Sequence, residues 1–260
     1  MNLSRRAALF ALFPLLLAVL WSAFFPRTLL AEPYGSLLYD LGAPFFCSLA
    51  AFLLWHAPKK ANAAPRVPRR AAVIACVAAF AVAVNNLPWI ALFTGEARLT
   101  APLPAYLLFA CLCLSVAAVE ELIFRGILLP VLCRRMAALH GGRLLAVLVS
   151  SALFGLSHLC NLFFGADPGA TLLQVSYSFL IGCAAAVLYL LTHRIGLPIL
   201  FHTVYNFGGL LLSRLGEGKI LNVPTVILTV AIGASAAVLI AFSFICGERV
   251  QENTPKISKN

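Results

Sequence analysis

Charge is what this chain has least of. Nine acidic and 19 basic residues are spread over 260 positions, so 11% of the sequence is charged and 62% is hydrophobic. A soluble globular domain has about a quarter of its residues charged, and the chain falls far outside that class. Eight cysteines are present, but no CxxC pair joins any of them, and Cys111 and Cys113 point to different faces of a helix. They read as small hydrophobic residues, not as a disulfide framework or a zinc site. The sequence also has no HExxH box, no convincing internal repeat and no C-terminal lipidation box, which argues against a zincin, an inverted-repeat transporter and a prenylated tail.

What the chain does have is long apolar runs. Stretches near 7–25, 36–55, 71–93, 104–133, 144–164, 171–191, 197–213 and 223–246 are long enough, or nearly so, to cross a bilayer core. A span needs about 20 residues for about 30 Å of hydrocarbon. The expected fold is therefore all-α, a polytopic transmembrane bundle of about eight spans. Trp21, Trp55 and Trp89 fall near span ends, where interfacial aromatics belong. An SRR sequence precedes the first run, but no small-x-small cleavage site follows in LLLAVLWSAFFP. The first run reads as an uncleaved helix rather than a signal peptide.

The net charge of +10 is a matter of topology rather than of nucleic-acid binding. With the N-terminus inside, 14 Lys and Arg residues fall on inner segments and only Arg27, Arg98, Arg214 and Lys219 on outer loops. That bias is the positive-inside rule. It places both termini in the cytoplasm and the protein in the cell membrane. Three regions follow: a helix pair with a cytoplasmic loop over 1–70, a core over 71–246, and a tail over 247–260 expected to be disordered.

The fourth run, PAYLLFACLCLSVAAVEELIFRGILLPVLC, contains three charged residues: Glu120, Glu121 and Arg125. Insertion scales assign roughly 3 kcal/mol to an ionisable side chain at a helix centre. Left unpaired, the trio would cost about 9 kcal/mol, comparable to the stability of a whole domain. Such residues face a protein interior or a watery cavity. Glu121 and Arg125 are four apart, on one helix face and in the favourable order. Glu120 lies about 140° round the helix from Arg125. The pair can neutralise itself, either as a structural ion pair or as part of a site. Glu120 is left needing another partner, and a carboxylate held from bulk water and from its arginine suits a general base.

Other spans add polar groups. The fifth run reads SSALFGLSHLCNLFF, with Phe154 one turn before His158, and the seventh reads PILFHTVYNFGG, with His202 one turn before Asn206. Each could be a helix-packing contact; three helices presenting such groups in one bundle point to a shared site. Glu120 and His158 both lie 14 residues from the inner ends of their spans, so both sit roughly 21 Å from the inner boundary. His202 is five residues into its span, which places it too shallow to meet them unless its helix begins deeper.

EELIFRG, FGLSH and HTVYN match the EExxxR, FxxxH and HxxxN motifs of the CPBP intramembrane proteases, the type II CAAX prenyl endopeptidase and abortive-infection group. FLIGCAAAVLYLLTHRIGLPILFH resembles that family's linking segment. The resemblance runs from Val119 to Gly209 in the expected order. It implies that Glu120 is the general base activating water, helped by His158. It implies further that His202 and Asn206 polarise the scissile carbonyl and hold the oxyanion. Glu121, Arg125 and Phe154 would support the site and orient the substrate.

The resemblance implies hydrolysis of a peptide bond in a membrane-associated substrate, CAAX-like or other, with the lipid bilayer as the setting and no nucleic acid as partner. The expected mechanism uses no cofactor and no metal. The alternative is zinc held by Glu120, His158 and His202, although Asn206 is a poor zinc ligand. Two other functions compete. A non-catalytic membrane scaffold or immunity factor would keep its phenotype without Glu120, and a proton-coupled transporter would use Glu120 and His158 as a relay.

Overall fold

The computed structural model describes residues 3–55, 68–218 and 223–252. Helices α1 (Leu3–Phe24) and α2 (Tyr34–Trp55) are followed by α3 (Arg69–Asn85) and the short α4 (Trp89–Thr94). Helix α5 (Leu103–Glu121) passes into a π-helical segment, Leu122–Leu128, and on into α6 (Leu129–Arg135). Helix α7 (Gly142–Ser157) ends in a 3-10 segment, His158–Phe164, and α8 (Pro168–Thr192), α9 (Gly196–Leu215) and α10 (Val223–Glu252) complete the bundle. Of the cytoplasmic loop expected within 1–70, residues 56–67 lie outside the described residues. Helix α10 continues past Cys246 to Glu252, so the tail expected from Gly247 begins as helix, in a stretch of good helix formers. Residues 253–260 lie outside the described part.

The chain is an all-α, multi-pass membrane bundle with one small exception. Among the described residues six helical segments are long and apolar enough to cross a membrane: Tyr34–Trp55, Arg69–Thr94, Leu103–Arg135, Gly142–Phe164, Pro168–Thr192 and Pro224–Cys246. Helix α1 contributes a shorter apolar stretch, Ala11–Phe24. Helix α9, with His202, Asn206 and Arg214, is not among the six. The exception is a two-stranded antiparallel sheet of β1 (Ala97–Leu99) and β2 (Gly216–Gly218), with Arg98 opposite Glu217. The two side chains form an exposed ion pair at 2.7 Å. The ribbon forms where the chain leaves the apolar runs and glycines let two backbones approach.

Small residues set the helix spacing. Ala75, Ala79 and Ala83 of α3 meet Ala184, Ala185, Ala186 and Leu188 of α8, together with Phe201 of α9, in one buried cluster. In lipid no hydrophobic force draws helices together, and small side chains allow the close approach that dispersion needs. A second cluster joins Leu37 of α2, Phe109, Leu112 and Cys113 of α5, and Leu211 and Leu215 of α9. Outward residues such as Phe13, Leu107 and Ile227 are exposed, as lipid-facing positions are. Asp167 caps α8 by accepting from the Ala170 N–H at 2.8 Å, and Pro168 at the first turn has no N–H to leave unpaired.

Tryptophans expected at the interface also act as wedges. A Cβ on Gly42 would fall 2.0 Å from Trp21 Nε1, and one on Gly126 would fall 2.8 Å from Trp55 Cδ1. The α1–α2 pair is thereby locked together and against the π segment. The eight cysteines are all free.

Candidate active site

The site is built where α5 changes from α to π geometry. Glu120 and Glu121 close α5, and Arg125 lies within the wide turn. Pro130 follows, with no N–H and a ring that crowds the carbonyl four residues back, and a wide turn relieves both. The Leu129 N–H accordingly reaches back to the Phe124 carbonyl, the five-residue spacing of a π-helix. Ser150 Oγ on α7 donates to that same carbonyl at 3.3 Å. The unbroken apolar run 104–133 predicts one regular helix. The π segment is the correction, and single π turns are frequent at functional sites.

Glu121 and Arg125 pair as their spacing requires, with Arg125 Nη1 donating to Glu121 Oε1 at 2.9 Å and both side chains fully buried. The guanidinium carbon lies 4.5 Å from the centre of the Phe154 ring, a cation–π arrangement. This contact matters because Arg125 Nε and Nη2 and Glu121 Oε2 have no hydrogen-bond partner among the described residues. Gly182 of α8 makes the space: a Cβ there would lie 2.9 Å from Arg125 Nη2 and 3.1 Å from Phe154 Cδ1.

His202 joins the two glutamates. Its Nδ1–H donates to Glu121 Oε1 at 2.9 Å, and its Nε2 lies 3.5 Å from Glu120 Oε2. The first is a hydrogen bond; the second is an ion-pair distance longer than a good hydrogen bond. His202 is buried, while the Glu120 side chain is 27% exposed. The depth mismatch is resolved because α9 begins deeper in the bundle. By helix rise His202 lies about 9 Å from the start of α9, whereas Glu120 lies about 22 Å from the end of α6. The helices are staggered by the difference.

The other expected residues take different places. His158 opens the 3-10 segment, and its Nδ1–H donates to the Phe154 carbonyl at 3.1 Å. Phe154 stands edge-on to His158 at 5.2 Å and to His202 at 5.7 Å. The two histidines thus share one buried ring, but no bond joins His158 to Glu120 among the described residues. Asn206 sits one turn along α9 from His202, half-buried, lining a cavity. Its side-chain amide has no hydrogen-bond partner among the described residues. Glu121, Arg125 and Phe154 are all buried.

The zinc alternative fits poorly. Of Glu120, His158 and His202, only the first and last approach each other. Among the described residues no three His, Cys, Asp or Glu side chains group closely enough to hold a metal ion.

A carboxylate beside an imidazole, itself steered by a second carboxylate, is an arrangement that can take a proton from water and return it. A family model described as type II CAAX prenyl endopeptidase Rce1-like matches residues 102–208. That range holds Glu120, Glu121, Arg125, Phe154, His158, His202 and Asn206. Neither the comparison with curated proteins nor that with solved structures gives a match. The match runs from the start of α5 to the middle of α9, so the segment that carries the site is similar to the type II CAAX prenyl endopeptidase Rce1-like family.

Proposed function

We propose that this protein is an intramembrane endopeptidase in which Glu120 activates water to cut a peptide bond of a membrane-associated substrate. The observation that carries the reading is the imidazole of His202 lying between Glu121 Oε1 and Glu120 Oε2. Water on Glu120 gives its proton to the carboxylate as its oxygen attacks the carbonyl carbon. Negative charge grows on the carbonyl oxygen, and the Asn206 side-chain amide donates to it. The carbon–nitrogen bond then breaks, and the proton held on Glu120 passes to the leaving nitrogen. His202 sits at the point where that proton moves, its ring fixed by the bond to Glu121. His158, bonded to the Phe154 carbonyl and edge-on to the same ring as His202, assists. No metal takes part in this scheme.

The bilayer and a membrane-associated polypeptide are the partners, and the basic bias of the loops orients both termini toward the cytoplasm of the cell. CAAX-like substrates are one class that the family name suggests. The test is cleavage of a quenched membrane-peptide reporter by the purified protein. Glu120→Gln abolishes cleavage while yield and thermal unfolding stay as in the wild type. Full activity of that variant would sink the mechanism, and an intact cellular phenotype without cleavage would favour the scaffold.

A further inference from the structure

Helix α8 carries a tyrosine that lies outside every motif. Tyr177 is 15 residues from the end of α8 at Thr192, just as Glu120 is 15 residues from the end of α6 at Arg135. Helix α7 crosses back between them, so α6 and α8 end on the same side of the bundle. Both residues therefore sit about 22 Å from that side. One turn before Tyr177, Gln174 accepts from Asn161 Nδ2 at 2.9 Å, and Asn161 belongs to the 3-10 segment that His158 opens. The Tyr177 ring meets the ring of Tyr205 at 6.1 Å between centroids, and Tyr205 directly precedes Asn206 on α9. This face of α8 thus reaches from the His158 segment to the turn of α9 that carries His202 and Asn206. The Glu120 carboxylate is within electrostatic reach of Tyr177.

We propose that the Tyr177 hydroxyl touches the substrate, donating to the carbonyl oxygen on which negative charge grows, beside the Asn206 amide. The proposal rests on the protease reading and adds a second donor to it. Tyr177 is 38% exposed, and its hydroxyl has no hydrogen-bond partner among the described residues. Interfacial tyrosines belong at the ends of spans, whereas Tyr177 lies about 14 Å inside the start of α8. Left facing hydrocarbon there, an unpaired hydroxyl would cost about 1–3 kcal/mol. A scissile carbonyl supplies the missing acceptor, because its oxygen has two lone pairs and Asn206 takes one. Tyr177 keeps its proton throughout; the bonds made and broken are those of the scheme above. Tyr205 is the support rather than the donor. The charge of Glu120 reaches Tyr177, while the group felt at Tyr205 is Tyr177 itself. The Tyr205 carbonyl accepts from Asn86 Nδ2 at 2.7 Å, which ties this turn of α9 to the end of α3.

The test is steady-state cleavage of the membrane-peptide reporter by the full-length protein, wild type beside Tyr177→Phe. Phenylalanine keeps the ring pair with Tyr205 and removes only the oxygen. A fall in kcat of about 10²–10³ is expected, with KM and thermal unfolding as in the wild type. A hydrated trifluoromethyl ketone, built on the reporter sequence at the bond that is cut, mimics the tetrahedral intermediate. Its inhibition constant is expected to rise by the factor that kcat/KM falls. Tyr177→Met, also without a hydroxyl, replaces the Phe variant if that one does not purify folded. A kcat within about three-fold of the wild type, a defect confined to KM, or unchanged inhibition by the ketone overturns this inference and leaves the protease reading standing. A wild type that does not cleave overturns both.

Discussion

His202 and Arg125 meet on a single atom, Oε1 of Glu121, each at 2.9 Å. Glu121 therefore does two tasks: it neutralises a fully buried guanidinium and fixes the ring that faces Glu120. The tasks separate by mutation. Glu121→Leu strands Arg125 as an unpaired buried charge and is expected to cost about 3–5 kcal/mol. Glu121→Leu with Arg125→Met removes both charges and recovers most of that stability. Cleavage stays at least about 100-fold down in the double variant, because the His202 Nδ1–H has lost its acceptor. Thermal unfolding beside reporter cleavage checks both halves. Recovery of activity along with stability would show that Glu121 is structural only.

The two halves of this array were not equally legible in the sequence. The Glu121–Arg125 pair follows from four-residue spacing on one helix, a local property that tertiary packing did not alter. The partner of Glu120 is an interhelical matter, set by how far α9 is staggered along α5. Counting residues from span ends favoured His158, and the actual neighbour is His202. The π segment escaped for another reason: Pro130 signals a disturbance, but the sequence does not say whether the helix will kink, break or widen. The β1–β2 ribbon is three residues a side, too short for an alternation pattern to register. Trp21 and Trp55 read as interface anchors, because the glycines they cover become neighbours only in three dimensions.

Glu120 and Asn206 should fail in different ways. Glu120 is partly exposed and its contact to His202 is long, so Glu120→Gln leaves thermal stability within about 1 kcal/mol of the wild type. Its cleavage rate falls by about 10²–10⁴, the range for loss of a general base. Asn206→Ala removes a donor to the oxyanion, and a fall in kcat of about 10²–10³ with little change in KM is expected. An Asn206→Ala defect confined to KM would move this residue from the chemistry to substrate binding.

Phe154 is a structural residue placed at the centre of the site. Its ring touches Phe124, His158 and His202 and lies against the Arg125 guanidinium. Phe154→Ala is expected to cost about 3–5 kcal/mol, mostly through the cavity left behind. Phe154→Tyr keeps the ring faces but brings a hydroxyl into a buried position, and costs about 1–3 kcal/mol unless that hydroxyl finds a partner. Unfolding in detergent measures both, and an Ala variant as stable as the wild type would remove Phe154 from the support of the site.

Two glycines remote from any substrate test how tightly the site is held by backbone. Glycine to alanine within a helix ordinarily stabilises by about 0.5–1 kcal/mol, so a loss of stability reports a contact. At Gly182 the added Cβ meets Arg125 Nη2 at 2.9 Å and both Phe154 Cδ1 and Ser151 Cβ at 3.1 Å, all of them side-chain atoms. At Gly208 it meets Leu87 N at 2.8 Å and Asn86 C at 2.9 Å, main-chain atoms at the end of α3. That junction is also tied by Asn86 Nδ2 donating to the Tyr205 carbonyl at 2.7 Å. Gly208→Ala therefore has to push α9 from α3 and carry Asn206 with it, whereas Gly182→Ala presses on side-chain atoms of Arg125, Phe154 and Ser151. Overpacking of this kind costs about 1–3 kcal/mol. The larger loss is expected at Gly208, together with a fall in kcat like that of Asn206→Ala. Equal stability in the two variants, or full activity in Gly208→Ala, would show that α9 is not positioned by its contact with α3.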